Sequence, residues 1–286
     1  MISNINITEC PRDAMQGIHE FIPTAKKIEY INALLSCGFS TLDFGSFVSP
    51  KAIPQMADTD QVIRKINKSA NTKLLAIVAN LKGAEQAAQY DSIDYLGYPF
   101  SVSETFQLRN TNATIEESLK RIEEIQNITV KNGKKMVVYL SMGFGNPYGD
   151  LWNPEIVAQW SQSLYENFNI KYQAVSDTIG CANPEITKEL FDVLIPLNKN
   201  VEYSAHMHVK MENAIPILKA AYESGCKKFE GALKGYGGCP MAKDDLTGNM
   251  PTEIMIDWFQ KQGIETGVNL NKLNEALSFS NEIFKF

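Results

Sequence analysis

Eight times along this 286-residue chain a short β-forming run gives way to a helix-forming one, and no low-complexity linker interrupts the series. The strand candidates fall at 5–8, 40–44, 73–78, 93–96, 136–140, 172–175, 200–208 and 227–230. Helix patterns occupy 23–35, 59–66, a short stretch from 83, 114–132, 154–168, 184–194, 214–224, 252–262 and 270–284. Local chemistry marks several of their ends. Thr114-Ile115-Glu116-Glu117 is a capping box, in which hydroxyl and carboxylate satisfy each other's backbone donors. Pro184 stands at an early helical position, and Gly38 and Gly225 are natural stops. Strict βα alternation demands a parallel sheet, because each strand must return through a crossover helix. Eight such units predict an α/β fold of the (β/α)8 TIM-barrel type, typically ~250 residues. Here it would be a single domain over 1–286 with additional C-terminal helices. A doubly wound sheet is the alternative, but no Gly-x-Gly-x-x-Gly follows the first strand.

Only three histidines occur, and two of them, His206 and His208, lie one residue apart in the seventh strand candidate. Side chains at i and i+2 of a strand share a face. Two neutral imidazoles so placed are a ready pair of metal ligands, whereas two protonated ones would repel. Two partly exposed histidines that merely fit the strand are the other reading of the pair taken alone.

Composition narrows the function classes. The 44% hydrophobic and 21% charged content is ordinary for a soluble globular protein. A net charge of -6, with no Lys/Arg run, gives no electrostatic reason to expect nucleic acid. No apolar stretch approaches the ~20 residues of a membrane span. The start, Met1-Ile2-Ser3-Asn4-Ile5-Asn6-Ile7, lacks the basic start and long apolar core of a signal peptide. Cys10, Cys37, Cys181, Cys226 and Cys239 are odd in number and scattered, which predicts free thiols in a reducing compartment. The expectation is a cytoplasmic protein without a membrane or nucleic-acid partner; a homo-oligomer stays open.

In a TIM barrel the loops at the C-terminal strand ends build the site. Those ends carry Arg12, Asp13, Asp43, Ser46, Ser141, Asp177, His206, His208 and Cys239, with Asn249 just beyond. Singly, each has a structural role available: a turn cap for Asp13, a surface ion pair for Arg12, a helix N-cap for Asp177, an inert thiol for Cys239. Their recurrence at one end is what points to a site. An aspartate, two histidines and an asparagine oxygen make a mixed N/O donor set suited to Mg²⁺ or Mn²⁺, with Zn²⁺ or Co²⁺ as substitutes in vitro. The glycines of Gly235-Tyr236-Gly237-Gly238-Cys239-Pro240 leave that backbone free to close over a ligand.

Longer strings carry more information than these pairs. They include Pro11-Arg12-Asp13-Ala14-Met15-Gln16, Gly45-Ser46-Phe47-Val48-Ser49-Pro50-Lys51, Asn80-Leu81-Lys82-Gly83 and Ser176-Asp177-Thr178-Ile179-Gly180. Others are His206-Met207-His208, Gly237-Gly238-Cys239-Pro240-Met241-Ala242, Gly248-Asn249 and Thr266-Gly267-Val268-Asn269-Leu270. Over nearly its whole length the chain resembles the 3-hydroxy-3-methylglutaryl-CoA lyase family of metal-dependent TIM barrels. The resemblance implies that Asp13, His206, His208 and Asn249 bind a divalent metal and that Arg12 stabilises the developing enolate. It implies proton transfer by Cys239 and an acid/base role near the metal for Asp177, with Asp43 also in the catalytic group. The implied reaction, as in leucine breakdown, cleaves an acyl-CoA substrate, 3-hydroxy-3-methylglutaryl-CoA, to acetoacetate and acetyl-CoA.

The chain also departs from that pattern. Relatives usually hold glutamate where Thr8 and Asp43 stand, glycine where Ala14 stands, and Asp-Thr-x-Gly in place of Val209-Lys210-Met211-Glu212. These changes keep the implied ligand set and alter its surroundings. They leave room for another 3-hydroxy acyl-CoA or a 2-keto acid as substrate, or for a silent acyl-CoA-binding paralogue.

Overall fold

The computed structural model describes residues 5–238 and 247–284. Eight parallel strands form a closed barrel: β1 (Asn6–Glu9), β2 (Thr41–Ser46), β3 (Lys73–Ile77), β4 (Tyr95–Ser101), β5 (Lys135–Ser141), β6 (Tyr172–Asp177), β7 (Glu202–Val209) and β8 (Lys228–Gly231). Each pairs with the next, and β8 returns to β1 with Thr8 opposite Glu230. The expected TIM barrel is therefore the observed architecture, with helices around it and the helix Leu270–Ile283 closing the described chain.

Apolar packing falls into two compartments. The larger lies between the barrel and its helices, where residues such as Phe44, Phe100, Leu140 and Phe259 are fully buried. The smaller lies on the barrel axis, where Leu75, Val137, Tyr139 and Ala174 meet. Successive strand residues thus alternate between helix layer and axis. Both bonds of the Thr114–Glu117 capping box form, and the helix it starts runs Ile115–Lys131. Pro154–Phe168 has the expected bounds, with Asn153 accepting from the amide of Ile156.

Three local expectations need correction. Residues 11–16, which lie between the first strand and first helix patterns, form a short helix, Pro11–Gln16, whose proline occupies a first-turn position that needs no amide donor. The fourth strand is Tyr95–Ser101, later than 93–96, because Ile93 and Asp94 form the irregular link between the turn at Asp91–Ser92 and the strand. A helix at Glu104–Thr111 has no counterpart in the sequence reading; it buries only Phe106 and Gln107, too little to give a helical period. A two-residue strand, β9 (Gly248–Asn249), also pairs antiparallel with β7, setting Asn249 opposite His208. The four described cysteines are free thiols, and no helix of the described residues is long and apolar enough to cross a membrane.

Candidate metal centre

Alternation along β7 turns Ser204, His206 and His208 to the barrel axis, the last two near its C-terminal mouth. Their rings lie 5.4 Å apart, and both are buried. The short helix after β1 brings Asp13 beneath them, with its Oδ2 3.5 Å from His208 Nε2. One donor atom each from Asp13, His206 and His208 lie within 4.8 Å of one another. His208 Nδ1 is 3.0 Å from the carbonyl of Thr178. A carbonyl only accepts, so Nδ1 carries a proton, and in the neutral ring the lone pair is on Nε2. That Nε2 is buried without a hydrogen-bond partner among the described residues. A buried acceptor left unpaired is costly unless something else binds it. With a carboxylate and a second imidazole beside it, the group fits a divalent metal.

Arg12 organises the acidic side of the cluster. Its Nε and Nη2 donate to Asp43 Oδ2 at 3.0 and 2.6 Å, and its Nη1 donates to Asp13 Oδ1 at 2.8 Å and Gln16 Oε1 at 3.0 Å. A guanidinium has five N–H donors, so one Nη2 hydrogen is left for a bound molecule. Asp43 reaches Arg12 although it is a methylene shorter than glutamate, and the register of β2 against β3 shifts just after it, between Asp43 and Gly45. Burial pushes the Asp43 carboxyl up to about 6, with Arg12 opposing and Asp13 and Glu230 adding to the rise. Burial would also raise Asp13, but the Arg12 cation beside it outweighs that effect and holds Asp13 well below the usual carboxylate range. Asp13 is thus already ionised, as a donor to a cation must be.

Asn249 joins through β9. Its amide nitrogen donates to Asp13 Oδ2 at 2.8 Å and to the carbonyl of Tyr236 at 2.9 Å. The glycine loop packs against the same place. Gly237 has φ +92, and a Cβ there would lie 2.8 Å from the Asp13 carbonyl, the Ala14 Cα and the Asn249 amide nitrogen. Only glycine fits so close an approach in that conformation. Cys239 lies outside the described residues.

Asp177 is brought elsewhere. Along β6, Tyr172 and Ala174 face the axis and Ser176 faces the mouth, so Asp177 faces outward. Its oxygens accept from the backbone amides of Cys181 at 3.0 Å and Ala182 at 2.9 Å. The Cys181 thiol, 3.4 Å from Oδ1, adds a third donor. Asp177 thus ties down the loop after β6 and is not the expected helix N-cap, because Asn183 takes that position by accepting from the amide of Ile186.

Two axial residues escaped the sequence reading. The Tyr139 hydroxyl, on β5, is buried without a hydrogen-bond partner among the described residues, and its ring meets His206 edge-on at 5.4 Å. Glu230, on β8, accepts from His206 Nδ1 at 3.0 Å and from Ser204 Oγ at 2.7 Å. Both occupy axis-facing strand positions, a signal visible only once the register is known. Glu230 also lies opposite Thr8, so β8 brings a carboxylate to the layer where β1 has none. At the mouth, a cavity of about 630 Å³ is lined by Arg12, Asp13, Tyr139, His206, His208 and Arg109, among others.

A family model described as HMGL-like matches residues 5–279. The mitochondrial hydroxymethylglutaryl-CoA lyase of Mus musculus is 32% identical over 94% of this chain and 82% of its own. A cytoplasmic 3-hydroxy-3-methylglutaryl-CoA lyase of Homo sapiens is also 32% identical, over 94% of this chain and 72% of its own. Among solved structures, the HMG-CoA lyase of Brucella melitensis superposes with a TM-score of 0.92 at 30% identity, covering 99% of each chain. An Acinetobacter baumannii HMG-CoA lyase in complex with coenzyme A and 3-methylmalate gives 0.91 at 30% identity, over 99% of this chain and 92% of its own. The chain belongs to the HMGL-like family of lyases.

Proposed function

We propose that the chain is a metal-dependent carbon–carbon lyase that cleaves 3-hydroxy-3-methylglutaryl-CoA to acetoacetate and acetyl-CoA. The observation that carries this reading is the unpartnered Nε2 of His208, held beside Asp13 and His206 at the mouth of the barrel. Asp13, His206 and His208 would hold Mg²⁺ or Mn²⁺, with Asn249 alongside. When bound, such a cation supplies Lewis acidity toward substrate oxygens.

The reaction has three requirements: a base for the tertiary hydroxyl, positive charge where the thioester enolate forms, and an acid that quenches the enolate. Arg12 meets the second, with one hydrogen free and its plane held by two carboxylates. Asp43, at about 6, can exchange a proton near neutral pH, but it stands behind Arg12. The Tyr139 side chain is a further polar group on the cavity wall. Cys239 keeps the acid role that the resemblance implies, and the approach of Gly237 to Asp13 supports a loop that reaches the site. The acyl-CoA would enter through the cavity past Arg109.

A second reading, a related lyase of another 3-hydroxy acyl-CoA, draws on the Val209–Glu212 departure. Val209 is buried, whereas Lys210 and Glu212 are exposed beyond the strand end, so this change alters the rim rather than the metal cluster. Turnover of 3-hydroxy-3-methylglutaryl-CoA with Mg²⁺ or Mn²⁺, read as acetoacetate, tests the choice. Metal-dependent product that disappears in His206→Ala is the expected result. Metal bound by the wild type without product would move the assignment to another acyl-CoA or to a silent paralogue.

A further inference from the structure

We propose that Glu230 is a positioning residue that sets the tautomer and orientation of His206 and thereby strengthens its hold on a divalent cation. The inference rests on the metal-site reading above.

The two histidines are anchored differently. His208 gives its Nδ1–H to a neutral backbone carbonyl, that of Thr178. His206 Nδ1 lies 3.0 Å from Glu230 Oε2, a carboxylate oxygen on the neighbouring strand. A carboxylate accepts the Nδ1–H, which leaves the Nε2 lone pair to the side of Asp13 and His208. Negative charge behind the ring also makes Nε2 a stronger donor, as in other carboxylate–histidine–metal arrangements.

Glu230 is itself held. Its Oε1 accepts from Ser204 Oγ at 2.7 Å, so both oxygens have partners and the side chain has little rotational freedom. Glu230 and Ser204 line a separate cavity of about 390 Å³ at the N-terminal end of the barrel, which Thr8 and Thr41 also line. Glu230 does not line the mouth cavity that holds Arg12, Asp13 and the histidines. A substrate at the mouth therefore meets His206 and not Glu230, and any effect of Glu230 passes through the imidazole. The Cys10 thiol, 4.0 Å from the same Oε2, is only a weak second donor to it.

The test uses Glu230→Ala, which removes the acceptor, and Glu230→Gln, which keeps the shape and removes the charge. Mn²⁺ affinity is read from the electron paramagnetic resonance of free Mn²⁺, and the His206 tautomer from ¹⁵N spectra of metal-free protein at about pH 9, above the ordinary imidazole range. Wild type should show the Nδ1–H form. Glu230→Ala should lose that preference and weaken Mn²⁺ binding by about 10- to 100-fold. Glu230→Gln should bind with intermediate affinity. Ser204→Ala, which loosens only the outer anchor, should weaken it by less than about tenfold. An unchanged tautomer and a Kd within about twofold in Glu230→Ala would overturn the proposal; should that variant not fold, the same Kd result in Glu230→Gln would. If the wild type binds no Mn²⁺, the metal reading itself has failed, and the tautomer comparison still decides the role of Glu230.

Discussion

The two faces of one barrel wall use buried acids in opposite ways. Glu9 and Asp177 point to the helix layer, and Asp13, Asp43 and Glu230 point to the axis or its mouth; all five are almost inaccessible to solvent. The outward pair is satisfied by neutral donors. Glu9 accepts from the amide of Leu233 at 2.9 Å and the hydroxyl of Thr252 at 2.6 Å, and Asp177 accepts from two amides and the Cys181 thiol. The inward three instead meet Arg12 or histidine, and the groups around them include unpaired atoms such as His208 Nε2 and the Tyr139 hydroxyl. Burial alone therefore does not mark a functional carboxylate. What separates the two sets is whether the carboxylate meets only neutral donors or sits among a cation and imidazoles that can bind a ligand.

The largest effect should come from removing the cation shared by the inward acids. Arg12→Met should lower kcat by roughly 10²- to 10³-fold, the usual cost of one transition-state donor. It should also destabilise the metal-free protein by about 3 kcal/mol, since Asp13 and Asp43 keep their burial and lose their counter-charge. Steady-state kinetics and thermal melts read both. A variant that keeps a tenth of the wild-type kcat would place Arg12 among the structural ion pairs and erase the distinction between the two faces.

Asp177→Asn probes the other face. Asparagine keeps one oxygen for one of the two loop amides, so about 1 kcal/mol of stability should go with the other bond. Mn²⁺ affinity should be unchanged and kcat should fall by less than about tenfold. A loss beyond about 10³-fold in a folded variant would mean that the loop rearranges to bring this carboxylate to the substrate, as general acid–base catalysis requires.

Sequence and structure part company at the side-chain level. The alternation of elements, the capping box at Thr114 and the bounds of Pro154–Phe168 are all legible because they depend on local propensity and period. His206 and His208 are legible because two rare residues at i and i+2 need only a strand to share a face. Asp177 reads the same as Asp43 along the chain, each near the end of an apolar run. Only the register, inward for one and outward for the other, separates them. Glu230 stayed hidden because its meaning comes from β7 beside it, 24 residues away in sequence from His206. The short β9 could not be foreseen either, since two residues carry no period; it exists because Asn249 has Asp13 and His208 to meet.

The smallest functional effect, and the sharpest contrast with Arg12, belongs to Glu9. Burial pushes its carboxyl up to about 8, against the lowering effect of its bonds to Thr252 and Leu233. In the unfolded chain it titrates near the ordinary glutamate value, so between about pH 5 and 8 the native state holds a proton that the unfolded state does not. Stability then falls as pH rises: the contribution is complete below the unfolded pKa and is lost as pH passes through the folded one. For this single group the loss is roughly 3 kcal/mol between pH 5 and 8. Glu9→Gln retains an oxygen for Leu233 and Thr252 but has no proton to lose. Its melting temperature should therefore vary less between pH 5 and 8 than that of the wild type, with turnover at neutral pH unchanged within about twofold. Parallel pH profiles for the two proteins would show that Glu9 ionises freely in the folded state. A loss of turnover would mean that the outer face reaches the reaction after all, through the loop that begins at Leu233 and runs on to Gly237 against Asp13.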